Sequence, residues 1–207
     1  MEAEKMNQFE VELEELLGAD KLAKIQAVTV GIIGAGGLGS NCAFNLVRSG
    51  FQSLVIADYD SVEPSNLNRQ FYFQEQVGRK KVNALKENLL AINPDLNLEM
   101  VAQEVTADNI AELFRECDII VEACDQVSSK KLVAAEFMNS DKLLVAASGI
   151  AGWGQSDKIK IRQVNETFYL VGDGKSEVGA EQPPLAPKVN LAAAKQADVI
   201  LDCVLEG

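Results

Sequence analysis

Two short segments hold most of the residues in this chain whose types and spacing could do chemistry. The first, Gly34-Ala-Gly-Gly-Leu-Gly-Ser40, satisfies G-x-G-x-x-G with Gly34, Gly36 and Gly39, and it directly follows a β-branched run. In that setting a strand turns tightly into a helix whose first N–H groups can take a phosphate. The second, Asp58-Tyr-Asp-Ser-Val-Glu-Pro-Ser-Asn-Leu-Asn-Arg-Gln70, follows at the spacing where a carboxylate meets a ribose. It also brings Asn66 and Arg69, with Lys81 further on, groups suited to the charged tail of a nucleoside triphosphate. The glycines and Asp58 alone fit an NAD-dependent oxidoreductase equally well. Each polar residue also has a plainer use. Asn66 can be a turn residue, Arg69 a partner for Asp58 or Asp60, and Lys81 one of three surface charges beside Arg79 and Lys80. Asp125 can be a turn acid ahead of a helix.

Bulk properties narrow the classes. A chain of 207 residues, 47% hydrophobic and 24% charged, is sized for one domain with a substantial core. The net charge of −12 argues against a nucleic-acid partner, because affinity for a polyanion needs clustered Lys and Arg. Charge is nevertheless uneven: between Asn66 and Lys86 stand five basic residues against the single acid Glu75. That strip suits a small anionic ligand, or equally a solvated helix face. The apolar runs are strand-length, so no membrane span is expected, and the first residues lack a secretion signal, so a cytoplasmic location is expected. There is no histidine, and the four cysteines (Cys42, Cys117, Cys124, Cys203) show no CxxC spacing. His-based acid–base or triad chemistry is thereby excluded, and a structural zinc site is not expected.

The elements that must position these residues can be read from periodicity. Residues 6–17 put Met6, Phe9, Leu13, Leu16 and Leu17 on one helical face, with Glu10, Glu12, Glu14 and Glu15 mostly elsewhere, and Gly18 ends the helix. A short helix over 20–24 follows. Strands are predicted over 28–33, 54–57, 96–101, 118–123 and 143–147, and helices over 38–48, 77–92, 108–116 and 128–138. This alternation, with several unbroken apolar strands, predicts an α/β fold: a Rossmann-like, doubly wound, mostly parallel sheet. Beyond 150, residues 158–162 and 167–171 read as an antiparallel extension. Residues 172–187 read as a mobile loop, and 189–205 as a closing helix.

Gly34–Ser40, Asp58–Gln70 with its Ser65-Asn-Leu-Asn-Arg-Gln70 core, Gly78-Arg-Lys-Lys81, Ile92-Asn-Pro94 and the Cys124-Asp125 strand end together resemble the ThiF/MoeB/HesA superfamily, the adenylating enzymes of ubiquitin-like proteins. The match runs from about 22 to 154 and is most like the short ThiF form serving a ThiS-type sulfur carrier in thiamine biosynthesis. The resemblance implies one adenylating domain over 1–207: an N-terminal helical segment (1–26), a nucleotide-binding core (27–150), and a C-terminal part (151–207) with strands, crossover-type loop and helix. It implies transfer of AMP from Mg-ATP to the C-terminal glycine of a carrier ending in Gly-Gly, with release of pyrophosphate. By the same resemblance Gly34, Gly36, Gly37 and Gly39 line the nucleotide and Asp58 holds the ribose. Asn66 and Arg69 contact the phosphates, Ser65 is among the nucleotide-binding residues, Lys81 acts on the α-phosphate, and Asp125 binds Mg²⁺. A homodimer is also implied, with the apolar face of helix 6–17 either serving it or packing on its own domain. Trp153 and the loop after Gly172 are expected to form the groove for the carrier's tail.

The chain departs from its relatives in ways that trim this expectation. It carries no paired CxxC, no separate cysteine domain and no cysteine in the loop 172–187, so adenylation alone is expected. Relatives also carry an arginine near the N-terminus that reaches the partner's ATP. Here the first arginine is Arg48, and Lys5 is the nearest early substitute. A scaffold that binds a ubiquitin-like partner without catalysis is the reading this departure supports.

Overall fold

The computed structural model of the chain describes residues 6–207. Its centre is strand β1 (Thr29–Ile33), whose alternate residues face opposite ways. Val30 and Ile32 enter one buried cluster and Ile33 the other. Gly31 is needed mid-strand because the Phe114 ring lies over it; an added Cβ would stand 2.6 Å from a ring carbon. Around β1 lie β2 (Ser53–Ala57), β3 (Asn97–Val101), β4 (Ile119–Glu122), β5 (Leu143–Ala147), β6 (Lys160–Asn165) and β7 (Phe168–Gly172). They form one sheet in the order β3-β2-β1-β4-β5-β7-β6, parallel throughout except for the β6–β7 pair. The predicted antiparallel extension is thus part of the main sheet, since β7 pairs parallel with β5 through Leu144–Phe168 and Ala147–Val171.

Helices cover both faces. On one side α2 (Ala19–Gln26), α3 (Gly37–Arg48), α4 (Lys81–Leu90) and α7 (Ala186–Glu206) bury Ile25, Leu38, Leu46, Leu85, Leu89, Val199 and Ile200 around Phe51. On the other, α5 (Ile110–Leu113) and α6 (Val127–Phe137) bury Ile110, Val133 and Phe137 with Phe114 and Ile120. The chain runs outward from β1 through β2 to β3 and then returns to place β4 on β1's other side. The carboxyl ends of β1 and β4 therefore flank a topological switch point, where open α/β sheets bind ligands. Among the described residues no helix is long and apolar enough to cross a membrane.

Several elements differ from the sequence reading, each for a local reason. The helix expected over 77–92 begins at Lys81, because Gly78 (φ +88°) turns the chain back onto Val62, which bonds Gly78 and Arg79, and Lys80 bridges Ser61. The helix expected over 108–116 is a single turn, ending at Phe114 as its ring enters the core. The closing helix starts at Ala186, three residues early, with Pro187 in its first turn, where a missing N–H costs nothing. Helix α1 (Gln8–Leu17) buries Leu13 as expected but leaves Leu16 78% exposed. Glu10, expected among the outward acids, is only 4% exposed: its carboxylate accepts from the side-chain amides of Gln52 and Asn93 (3.0 Å from the latter). A buried charge is tolerated where donors replace its water.

Burial pushes the thiols of Cys42, Cys117 and Cys124 up to about 12, with nearby Glu122 reinforcing the effect at Cys124. Thiolates are the reactive form. Iodoacetamide at pH 8 should therefore alkylate these three residues at least about a hundredfold more slowly in the folded protein than in urea; rapid labelling of folded Cys124 would contradict its burial. In the glycine turn, a Cβ on Gly39 would sit 1.8 Å from the Gly34 carbonyl oxygen, with no flexible neighbour to yield. Gly39→Ala should lower unfolding free energy by more than about 3 kcal/mol in a urea titration. A loss under about 1 kcal/mol would show that the turn can open.

Candidate active site

The turn after β1 is built around Gly34, at φ +100° and so close to the end of β4 that a Cβ would lie 2.7 Å from the Ala123 carbonyl oxygen. Gly39 packs the first turn of α3 on Gly34, and Gly37 seats against Val189 of α7, where a Cβ would approach the valine to 2.8 Å. Gly36 differs: the nearest atom to a Cβ there is the Gln70 Nε2, 3.9 Å away. Three glycines thus satisfy packing, and Gly36 keeps the approach to the helix start open.

The turn is fixed from several sides. Asp58, just past β2, accepts the Ala35 N–H at Oδ2 (2.7 Å) and the Asp60 N–H at Oδ1 (2.8 Å). Tyr72 donates its hydroxyl to the Ala35 carbonyl (2.7 Å). Burial, with Asp58 and Asp60 nearby, holds the Tyr72 phenol well above its ordinary range, so it remains a donor. Ser40 donates to the Gly36 carbonyl (2.6 Å) and accepts the Phe71 N–H (3.0 Å). Asn41 donates to the carbonyls of Gly37 (2.7 Å) and Arg69 (2.8 Å), tying α3 to the second segment. Tyr72 and Asn41 were not singled out from sequence. Their signal was weak: a tyrosine and an asparagine just beyond the two motifs.

Lys81 is brought to this centre. At 6% exposure it is no surface charge, unlike exposed Arg79 and Lys80. Its Nζ lies 2.7 Å from Asp60 Oδ2 and 3.8 Å from Asp58 Oδ2. The turn at 77–80 decides this, since it starts α4 at Lys81 with its N–H on the Asp60 carbonyl (3.0 Å). An ammonium this buried needs compensating charge, and the two aspartates supply it.

Ser65 and Asn66 sit on a 3-10 turn (Pro64–Asn66), where Asn66 Oδ1 caps the Glu63 N–H (3.1 Å) and Ser65 donates to Glu63 (3.2 Å). The turn role for Asn66 is therefore real. Its Nδ2 is only loosely engaged, 3.4 Å from Ser65 Oγ. Arg69 does not pair with Asp58 or Asp60. Its stem passes Gly37, and Nη1 donates to the Ser65 carbonyl (3.0 Å) and Asn68 Oδ1 (2.8 Å), while Nε and Nη2 make no hydrogen bond among the described residues. Asn68 in turn donates to the Pro184 carbonyl (3.2 Å), joining this segment to the long loop before α7. Asp125 lies exposed past β4 and forms no ion pair among the described residues. No group of three His, Cys, Asp or Glu side chains gathers there or elsewhere among them to hold a metal. Trp153 is 65% exposed beside Gly152, which pairs with Pro184. Lys5 lies outside the described residues.

The site thus joins an open helix start, a carboxylate that locks the turn, a buried ammonium and a guanidinium on one rim of the switch point. Known proteins share this fold. E. coli tRNA N6-threonylcarbamoyladenosine dehydratase, TcdA, solved in complex with AMP, superimposes with a TM-score of 0.85 at 20% identity, over 95% of this chain and 93% of that one. Among curated sequences, the Bacillus subtilis sulfur carrier protein ThiS adenylyltransferase is 43% identical over 119 residues, 56% of this chain and 34% of its own. The Dictyostelium discoideum SUMO-activating enzyme subunit 2 is 31% identical over 176 residues, 84% of this chain and 25% of its own. The chain thus spans about a quarter to a third of the length of these two relatives. Residues 9–184 match the ThiF family along most of the chain. On that match, and on the fold and glycine turn that carry it, this chain belongs to the ThiF family.

Proposed function

We propose that this chain is an ATP-dependent adenylyltransferase that activates the C-terminal glycine carboxylate of a ubiquitin-like sulfur carrier, ThiS-like, with release of pyrophosphate. The observation that carries the reading is the buried Lys81 ammonium between Asp58 and Asp60, on the rim shared by the open Gly36 turn and Arg69. A triphosphate tail, more highly charged than a dinucleotide's pyrophosphate, makes fuller use of that cation and of Arg69. The 43% identity to a ThiS adenylyltransferase supports the choice of carrier.

The chemistry asks little of acid–base groups. A carboxylate oxygen of the carrier attacks the α-phosphorus of ATP, the bond to the bridging oxygen breaks, and pyrophosphate leaves with the electron pair. The nucleophile is already an anion, so no histidine is needed to take a proton. The site's work is holding the reactants and offsetting negative charge as it grows. In this reading Gly34, Gly36, Gly37 and Gly39 shape the cradle, and the N–H groups opening α3 face the phosphates. Asp58 accepts from the ribose while keeping its bond to the Ala35 N–H. Asn66 offers its loosely held Nδ2, Ser65 its hydroxyl, and Arg69 its unengaged guanidinium donors to phosphate oxygens. Lys81 turns its ammonium from Asp60 toward the α-phosphate. Asp125, exposed and without an ion-pair partner among the described residues, would hold the Mg²⁺ through its carboxylate, and that ion would offset the charge of the departing pyrophosphate.

Leu16 on α1 and Phe73 in the second segment are exposed apolar side chains, which supports association with a second copy of the chain. Exchange of labelled pyrophosphate into ATP should depend on a carrier ending in Gly-Gly, and failure to exchange despite carrier binding would favour the scaffold reading. Arg69→Ala and Lys81→Met should each reduce exchange by about a hundredfold or more with circular dichroism unchanged. Near-normal exchange in either variant would show that the phosphate contacts lie elsewhere. Asp125→Ala should raise the Mg²⁺ concentration needed for half-maximal exchange by about tenfold, and an unaltered Mg²⁺ requirement would remove it from the metal's surroundings.

A further inference from the structure

The reaction proposed above gives no task to a second buried ion pair, on the far side of the glycine turn. Lys188, in the first turn of α7, donates to Asp173 Oδ2 (3.2 Å) and to the Ala151 carbonyl (2.7 Å), with both side chains largely buried. Asp173 Oδ1 accepts the N–H groups of Lys175 and Ser176 (2.8 Å each), and the Ser176 hydroxyl accepts the Ala151 N–H (3.1 Å). Burial alone would raise the Asp173 carboxyl. The bonds from Ser176, Lys175 and Lys188 override it and hold the carboxyl well below the usual carboxylate range. Both carboxylate oxygens of Asp173 accept bonds and the Lys188 ammonium has two acceptors, and such buried pairs fix geometry more than they add stability.

What it fixes is a junction of three segments: the turn after β5, the start of the loop 173–185, and the first turn of α7. The Asp173 N–H bonds the Gly149 carbonyl (3.0 Å) and the Gly174 N–H bonds the Ser148 carbonyl (3.1 Å), while Arg162 donates to the Asp173 carbonyl (3.1 Å). The loop's other end is held from the nucleotide side, by Asn68 on the Pro184 carbonyl and by the Gly152 N–H on Pro183 (3.2 Å). Val189, next to Lys188, is the residue seated on Gly37. The loop is therefore strung between the Lys188–Asp173 pair and the segment that carries Arg69.

We propose that Lys188 and Asp173 are positioning residues: their pair clasps the loop 173–185 as one wall of the path by which the carrier's acyl tail reaches the nucleotide. The clasp sets affinity for the carrier and leaves ATP binding nearly unchanged, because the glycine turn keeps its own ties to Asp58, Tyr72, Ser40 and Asn41. The inference rests on the adenylation reading for its substrate, but the loop also carries a reporter independent of activity, since trypsin can cut after Lys175.

The test compares wild type with Lys188→Met, Asp173→Asn and Lys188→Arg, using a ThiS-type carrier and MgATP for kinetics and brief trypsin treatment for the loop. Both disruptive variants should raise the carrier KM and the rate of cleavage after Lys175 by about tenfold each, as expected for loss of one buried charged hydrogen bond. The KM for ATP should stay within about twofold of wild type, and Lys188→Arg should recover most of both losses. Unchanged cleavage with unchanged carrier KM would overturn the proposal, and so would equal rises in the two KM values. If Lys188→Met does not fold, Asp173→Asn carries the same measurements, since it keeps the side chain's shape. If wild type shows no carrier-dependent exchange, the adenylation reading fails, and tryptic cleavage alone still decides whether the pair holds the loop.

Discussion

One carboxylate organises this site. Asp58 accepts the Ala35 N–H with one oxygen and the Asp60 N–H with the other, and the Lys81 ammonium lies within ion-pair distance of it. The first bond fixes the glycine turn after β1, and the second shapes the chain leaving β2. The third interaction requires α4 to begin where Lys81 can reach. Strand, turn, loop and helix are thereby referred to one group at the switch point of the sheet. Moving Asp58 would unlock the turn and strand a buried cation together.

A second frame meets the first through α7. This helix packs along α3, and its Val189 occupies the space that a side chain at Gly37 would need. Two turns further on, Gln196 donates to the carbonyls of Glu122 (3.2 Å) and Val145 (3.3 Å), near the carboxyl ends of β4 and β5. The C-terminal third of the chain is thus part of the same sheet and the same site wall. That continuity explains how a chain without zinc-ligand spacing can hold its second half by packing and buried polar contacts.

The alternation of strands and helices and the glycine turn were legible in sequence because each shows in neighbours a few residues apart; Asp58 stood out by its place after the second strand, but its bond to the Ala35 N–H, 23 residues back, did not. The burial of Lys81 was not. It follows from the turn at Gly78 and a bridge between Ser61 and Lys80, so three adjacent basic residues looked alike until the backbone separated them. Glu10 misled for a similar reason, since its partners Gln52 and Asn93 are distant in sequence. Asn41 and Tyr72 carry no motif of their own and act by reaching back to the turn. Lys188 and Asp173 meet across the long loop, whose composition suggested mobility, while the groups that hold it, Lys188, Asn68 and Gly152, lie outside it. Local chemistry shows in a sequence; contacts closed by topology do not.

The most direct measurement is to incubate the protein with α-phosphate-labelled ATP, Mg²⁺ and a ThiS-type carrier, and to analyse carrier and nucleotide together by mass spectrometry and chromatography. A triphosphate site built to activate a carboxylate should yield AMP on the carrier's terminal glycine and one pyrophosphate for each adenylate formed. An unmodified carrier, with ATP left intact or cleaved to ADP and phosphate, would contradict that assignment of the site.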